Sequence, residues 1–272
     1  MDKSSNKIAI LGSGNIGTSL AKGLIASGYC PADHITLTRR NLQKVSAQAE
    51  QGFKVTDQNF EAVKESSVII IAVLPQQLNG LLDEIALAID PLRHLIISVV
   101  SGVTCENIRS KLGDKVQVVR AMPNTAIAIR QSMTCIASDN SEAENLEEVK
   151  AMFETVGAII QINEELMTAA TALCACGIAF FLRAIRAASQ GGVEIGFHAD
   201  EALKMAAQTA KGAADLLLQH NSHPEQEIDK VTSPKGCTIA GLNEMEHQGF
   251  SSSLIKGIKL SALKAGGLYI KE

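Results

Sequence analysis

Through residues 1–163 the chain alternates short β-branched runs with stretches whose apolar residues recur at helical spacing. The runs Ile8–Leu11, Ile35–Thr38, Val68–Val73, Leu95–Val99, Val116–Ala121, Met133–Ala137 and Ala158–Ile162 read as strands. Between them Ile16–Ser27, Leu42–Gln51, Gln77–Ile89 and Glu142–Thr155 read as helices, the last with Asn140 or Ser141 as its cap. A run such as SVIIIAV has no polar alternation, which predicts strands covered on both faces, as in a mostly parallel sheet. Strand–helix alternation of this kind predicts a doubly wound α/β domain over residues 1–163. From Glu164 onward the β-branched clusters vanish. Alanine- and leucine-rich segments follow, with expected breaks at Gly191–Gly192, GFH, HNSHP and SPKG, and predict an all-helical second domain over residues 164–272. Its uncharged run Leu166–Leu182 is short for a membrane span and rich in small residues, so it reads as a buried helix at a subunit interface.

Composition narrows the class. The 272 residues are 46% hydrophobic and 20% charged, with a net charge of −4 and no basic tract, so no nucleic-acid footprint is expected. Aromatic residues make up only 3%, which leaves Ala, Ile and Leu to fill the core and favours close packing. Cys30, Cys105, Cys135, Cys174, Cys176 and Cys237 form no C-x-x-C and join no histidine cluster. Reduced thiols rather than a metal site are expected. The six histidines are scattered, and four fall where elements are expected to end, which suits capping or solvated roles. No charged-then-apolar leader precedes the first strand, so a cytoplasmic enzyme with no membrane partner is expected.

The first strand runs into GSGNIG, which places Gly12, Gly14 and Gly17 in G-x-G-x-x-G ahead of a helix. Gly12 serves the tight turn, Gly14 the close approach of a pyrophosphate, and Gly17 the packing of helix on strand. The helix N-terminus supplies N–H groups and partial positive charge to the anion. At the end of the second strand, where a site for a free 2′-hydroxyl carries Asp or Glu, this chain has Thr38, Arg39, Arg40 and Asn41. Two guanidiniums suit a 2′-phosphate, so NADP is the expected cofactor, with NADPH favoured over NADH. Three further strands end in IAVLPQQ, SVVSGVT and RAMPNTAIAI, each with small or polar residues at the sheet edge where α/β folds bind ligands.

With DKVTSPKGCTIAGL near the C-terminus, GSGNIG, AVLPQ, SGVT and RAMPNTA together make the chain resemble the pyrroline-5-carboxylate reductase family almost end to end. The resemblance implies a Rossmann domain followed by a helical domain that intertwines into homodimers, often gathered into larger rings such as decamers. It also implies reduction of L-1-pyrroline-5-carboxylate to L-proline by NAD(P)H. On matching positions it puts cofactor contacts at Leu11, Gly12, Ser13, Gly14, Asn15 and Ile16, at Arg39 with Arg40 beside it, and at Asn59. Ala72, Val73, Leu74 and Pro75 continue the set, with Val99, Val100 and Ser101. Substrate contacts fall at Met122, Pro123 and Asn124, at Glu164, and on the loop carrying Val231, Ser233, Gly236, Cys237 and Thr238. The chain departs from the family pattern at Leu74, where lysine is usual, and at CACGIAF (174–180) in place of S-G-S-G-P-A-Y. It departs again at Lys235 and Cys237 within SPKGCT.

The late loop fits a small acid. Ser233 is a good N-cap and Pro234 suits the first helical position, which would leave the N–H groups of Gly236, Cys237 and Thr238 free for a carboxylate. Thr238 would direct its hydroxyl at the imine nitrogen, and Lys235 would point to water. Two other readings stay open: an imine or β-hydroxyacid-type reductase with a shifted substrate, motivated by the 174–178 changes, and an NADP-binding paralogue without turnover, motivated by Leu74 and Lys235.

Overall fold

The computed structural model describes residues 6–269. It divides into two compact units, one comprising the chain up to Cys176 together with the segment from Ser261, the other Gly177–Leu260.

The first unit is built on eight strands: β1 (Ile8–Leu11), β2 (Ile35–Thr38), β3 (Lys54–Thr56), β4 (Val68–Ile71), β5 (Leu95–Ser98), β6 (Gln117–Met122), β7 (Ser132–Ala137) and β8 (Gly157–Gln161). They lie in the order β3-β2-β1-β4-β5-β6-β7-β8. Every pair is parallel except β6 with β7. The helices are α1 (Asn15–Ala26), α2 (Ser46–Glu50), α3 (Asn59–Lys64), α4 (Leu78–Ile85), α5 (Cys105–Leu112), α6 (Ala143–Glu154) and the short α7 (Met167–Ala170). Strand order reverses at β1 and β4, the switch point where a doubly wound sheet opens its ligand crevice.

Residue alternation along each strand feeds two cores. Ile8 and Ile10 of β1 and Val68 and Ile70 of β4 pack with Leu20 and Leu24 of α1 and with Phe153 of α6. Ala9, Leu11, Ile69 and Ile71 face the other way, onto Leu78, Leu82 and Ile85 of α4 and Ile108 of α5. Each fully buried Ile or Leu contributes about 1.5–3 kcal/mol, which is why these strands tolerate no polar face.

Three elements escape the expected pattern. The edge strand β3 is only three residues long and half-exposed, so it carries no apolar run. The polar helix α5 is started locally: Thr104 Oγ1 accepts from the Asn107 N–H at 3.1 Å, and Asn107 Oδ1 accepts from the Thr104 N–H at 3.2 Å. Short α3 follows the same logic of position over apolar content. Leu42–Gln51 is not one helix but a 3₁₀ turn, Leu42–Val45, followed by α2. The cap of α6 is Glu142 rather than Asn140 or Ser141. Those two side chains instead donate to the carbonyls of Val116 and Val118 at 3.0 Å each, tying the loop to β6 and its approach.

In the second unit α8 (Gly177–Glu194), α9 (Ala199–His220), α10 (Pro224–Lys230) and α11 (Cys237–His247) precede α12 (Phe250–Gly266), whose last residues belong to the first unit. The expected break at Gly191–Gly192 does not occur, because α8 runs through both glycines. A Cβ on Gly192 would stand 2.9 Å from the Ala202 Cβ of α9, so the glycine lets the two helices approach. The histidines cap as expected at His198 and His223, the first residues ahead of α9 and α10. His94 differs: it is buried, and its Nδ1 accepts from the Asp90 N–H at 2.9 Å.

The run Leu166–Leu182 is not buried within one chain. Leu173 is 57% exposed, Phe181 62% and Leu182 58%. The helical stretch Glu164–Glu194 is long and apolar enough to cross a membrane by length and composition alone, although the run within it had read as too short.

Gly192→Val should destabilise the helical unit by about 1–3 kcal/mol through overpacking against Ala202. Denaturant unfolding followed by circular dichroism measures the shift, and an unchanged midpoint would count against the close crossing of α8 and α9.

Candidate active site

The turn after β1 is held by contacts that leave no room for side chains. Gly12 has φ +101°, and a Cβ there would sit 2.7 Å from the Ala72 carbonyl oxygen. A Cβ on Gly17 would sit 2.5 Å from the Gly12 oxygen. At Gly14, which caps α1, a Cβ meets nothing within 4 Å, so this backbone is open to a ligand. Ser13 donates its N–H and its hydroxyl to the Thr38 carbonyl, each at 3.0 Å, and the Gly12 N–H reaches Thr38 Oγ1 at 3.3 Å. The end of β2 therefore splints the loop. Arg39 adds to the splint, because its Nη1 donates to the Ser13 carbonyl.

These groups border a cleft of about 860 Å³ over the switch point. The cleft is large enough for a dinucleotide-sized ligand by the usual range of small-molecule sites, about 300–1,000 Å³. Gly12, Ser13, Gly14, Asn15 and Ile16 line it, as do Arg39, Arg40, Asn59, the segment Ala72–Pro75, and Val99, Val100 and Ser101. Leu11 does not: its side chain is buried in the core, and its carbonyl accepts from the Ala72 N–H at 2.8 Å. The structure also brings Asn41 and Gln77, from the strand ends read in the sequence, to the wall, together with Lys44, Asp57 and Glu84, none of which stood out there. Lys44 was findable: it lies on the turn that Asn41 caps, directly after the two arginines. Glu84 accepts from the Asn59 carboxamide at 3.0 Å, a pairing between α3 and α4 that no local pattern announces.

An open glycine backbone at a helix N-terminus, with exposed Arg40 and Lys44 beyond β2, fits a phosphorylated dinucleotide. Arg39, being tied to the loop, shapes the site as well as charging it.

The M-P-N segment ends β6. Met122 and Pro123 are buried, and Asn124 nearly so. Asn124 Oδ1 accepts from the Ala126 N–H at 3.0 Å, its Nδ2 donates to the Cys174 carbonyl at 3.3 Å, and its own N–H goes to Ser132 Oγ at 3.0 Å. Its side chain thus orders the turn and joins it to the start of the helical stretch. Glu164 is similarly engaged. Its Oε1 accepts from the Cys105 N–H at 2.7 Å, at the N-terminus of α5, and from Arg120 Nη1 at 3.2 Å. Arg120 is buried in β6, with Nε and Nη2 finding no hydrogen-bond partner among the described residues. A charge inside the apolar run VVRAM was the available signal for it.

Cys105, Asp139 and Glu164 converge closely enough to offer three ligand atoms to a cation. Their chemistry opposes it. Burial, and then the carboxylates of Glu164 and Asp139, push the Cys105 thiol up to about 12. Asp139 is held by Arg109 through two contacts of 2.6 Å, and Glu164 by Arg120. The cluster is a charge-balanced network.

In the second unit the residues Ser233–Gly236 form a turn rather than a helix start. The Gly236 N–H donates to the Ser233 carbonyl at 2.9 Å, and Lys235 takes φ +60°. Proline second and positive φ third is the signature of a type II turn. Consequently the cap of α11 is Gly236, not Ser233, and the Gly236 N–H is already used. The donors that lack an i−4 partner by position are Cys237, Thr238 and Ile239. Ser233 Oγ would lie 2.5 Å from a Cβ on Gly236, so the serine folds over the turn. Val231 is exposed just before it.

A Rossmann unit with a phosphate-binding glycine turn and a cationic β2 end, joined to a helical unit, defines an NAD(P)H-dependent oxidoreductase of two-unit architecture. Comparisons with known proteins narrow this. The family described as NADP oxidoreductase coenzyme F420-dependent matches residues 7–102, and pyrroline-5-carboxylate reductase dimerisation matches residues 164–268. Pyrroline-5-carboxylate reductase 2 of Dictyostelium discoideum is 50% identical, over 97% of this chain and 93% of its own length. Pyrroline-5-carboxylate reductase 1 of the same organism is 53% identical over 98% of this chain, which spans half the length of that relative. The solved pyrroline carboxylate reductase of Plasmodium falciparum, with NADP bound, shares the fold at TM-score 0.90 and 22% identity, over 97% of this chain and 98% of that one. The chain belongs to the pyrroline-5-carboxylate reductase family.

The Arg109–Asp139 pair gives the network a pH signature. Hydrogen bonding from Arg109 holds the Asp139 carboxyl below the usual carboxylate range. A depressed carboxylate pKa contributes stability that is complete above the unfolded value, about 3.9, and lost as pH falls through the folded value. The thermal midpoint of the protein should therefore exceed that of Asp139→Asn at neutral pH, with the gap closing below about pH 4. A gap that persists unchanged in acid would deny the pairing its role.

Proposed function

We propose that this chain reduces L-1-pyrroline-5-carboxylate to L-proline, with NADPH preferred over NADH. The observation that carries the reading is the 50% identity to a relative of that name over nearly the whole of both chains. The cleft over the switch point supports it, since its cations suit a 2′-phosphate and its open Gly14 backbone suits a pyrophosphate.

The substrate is a five-membered cyclic imine bearing a carboxylate. Reduced nicotinamide supplies the hydride when bound. The chain's own work is to hold, orient and charge-match the partners. Gly14, Asn15 and Ile16 offer the pyrophosphate their place at the N-terminus of α1, and Arg40 with Lys44 receives the 2′-phosphate. Arg39 holds the glycine loop to β2. The first turn of α11 receives the substrate carboxylate through Cys237, Thr238 and Ile239 N–H groups, each charge-assisted bond being worth about 1.5–3 kcal/mol. Thr238 Oγ1 orients the imine nitrogen by a hydrogen bond. A threonine hydroxyl is too weak an acid to deliver the proton itself. Most of the acceleration comes from holding donor and acceptor in reacting contact. Met122, Pro123, Asn124 and Glu164 are further substrate contacts in this reading.

The exposed Leu173, Phe181 and Leu182 are covered by a second copy, since the dimerisation family spans this stretch. The working enzyme is thus a homodimer, assembled further into a ring of dimers such as a decamer. It acts in the cytoplasm without a membrane partner, and its net charge of −4 disfavours a nucleic-acid partner.

NADPH oxidation on adding synthetic pyrroline-5-carboxylate, repeated with NADH, tests substrate and cofactor together. Turnover only with thiazoline or open-chain 2-imino acids would move the substrate assignment, and none with any of them would leave a cofactor-binding protein. Replacing Arg40 and Lys44 together by Ala should raise KM for NADPH and spare NADH, whereas loss of Arg39, which braces the glycine loop, should weaken both; equal loss with both cofactors in the Arg40/Lys44 variant refutes the phosphate reading. Thr238→Ala should lower kcat about ten-fold or more, the value of one positioned hydrogen bond of about 1–3 kcal/mol. An unaltered kcat removes Thr238 from the mechanism.

A further inference from the structure

Cys135 on β7 and Cys174 in the π-helical turn Thr171–Cys176 stand with their sulfurs 3.8 Å apart, although 39 residues separate them in the chain. Disulfide sulfurs bond at about 2.0 Å, so a side-chain rotation that closes the gap by about 1.8 Å would join them. The two differ in access: Cys135 is buried at 3%, while Cys174 is partly exposed. A pair in which one thiol meets solvent and the other waits behind it is the arrangement of an attacking and a resolving cysteine.

Their surroundings bear on what a bond would do. Cys135 is the cross-strand partner of Met122, and the Cys174 carbonyl accepts from Asn124 Nδ2. The pair therefore brackets the M-P-N segment, one cysteine beside each end. Met122, Ala137, Met167 and Ala170 pack around the thiols as a small separate cluster. An irregular helical turn can shift locally more readily than a regular one, and π turns occur often at functional positions.

We propose that Cys135 and Cys174 form an oxidisable dithiol, closing to a disulfide that clamps β7 to the turn ahead of α8. Cys174 meets solvent while Cys135 is buried behind it, so Cys174 is the thiol that reacts first. With hydrogen peroxide as oxidant, the Cys174 thiolate attacks one peroxide oxygen, giving a sulfenic acid and releasing hydroxide, which takes up the proton the Cys174 thiol had lost and becomes the first water. The Cys135 sulfur then attacks the Cys174 sulfur. The S–O bond breaks, the S–S bond forms, and the thiol proton completes the second water. Two sulfurs are each oxidised by one electron, and both peroxide oxygens end in water. The site requires nothing from the reaction proposed above.

The test is brief exposure of the full-length protein to stoichiometric hydrogen peroxide, alkylation of remaining thiols, and non-reducing peptide mass spectrometry. The expected product is a Cys135–Cys174 linked peptide, lighter by two hydrogens and released by dithiothreitol. Its thermal midpoint should rise by about 5 °C or more over the reduced protein, the effect of closing a loop of this length. In Cys135→Ser the link and the rise should vanish, and dimedone should trap Cys174 as its sulfenic acid. Recovery of both thiols alkylated while exposed Cys237 is oxidised would overturn the proposal, as would Cys174 linked to any other cysteine. A correct link without the rise in midpoint would overturn the clamp. None of these readouts depends on which substrate the enzyme reduces.

Discussion

The architecture turns on a steric fact at the switch point: the backbone after β1 presses against the end of β4 with no space for a side chain. Gly12 lies where a Cβ would meet the Ala72 carbonyl, and Gly17 lies where a Cβ would meet Gly12 itself. Only this closeness brings the N-terminus of α1 directly over the carboxyl ends of β1 and β4. The consequences reach outward from there. Ser13 can bond Thr38, Arg39 can bond Ser13, and the cationic end of β2 is thereby placed beside the glycine turn. Apolar packing on both sheet faces holds the strands, but the glycine turn decides what the crevice admits.

Polar connections support the rest of the first unit in the same manner. Glu164 satisfies the first N–H of α5 at Cys105 and neutralises Arg120, a buried cation that would otherwise be costly. Asn124 joins the end of β6 to the turn containing Cys174. These bonds link the sheet to the first turns of the helical stretch, so the M-P-N segment is held from two sides. The helical unit is different in kind. Its internal helices pack through small residues such as Gly192 and Ala202, and its larger apolar side chains, Phe181 and Leu182 among them, remain uncovered in a single chain. That surface is intelligible as one half of a dimer, in keeping with the family matched over residues 164–268.

Much of the fold was legible because its signal is local. Val68–Ile71 is apolar at every position, and only a strand buried on both faces calls for that. GSGNIG follows such a strand and opens a helix, so both the turn and its ligand class could be read. The misreadings share a cause. Gly191–Gly192 looked like a break because glycine is a poor helix former, yet contact with α9 outweighed about 1 kcal/mol of propensity per residue. Ser233 looked like a cap because Ser-Pro commonly starts helices, yet the positive φ of Lys235 delayed α11 to Cys237. Polar α5 and three-residue β3 lack the apolar periodicity on which such reading relies.

The amino-acid order alone determined the alternation of strands and helices, the glycine turn, the arginines that follow β2 and the late Thr-Ser-Pro loop, because each depends on neighbours within a few residues. Only the folded chain decided that Arg39 braces Ser13, that Glu84 pairs with Asn59 at the cleft, that Glu164 neutralises Arg120, and that Cys135 meets Cys174. Those partners are tens of residues apart, and sequence spacing carries no information about distance once a sheet and its crossovers have brought separate segments together.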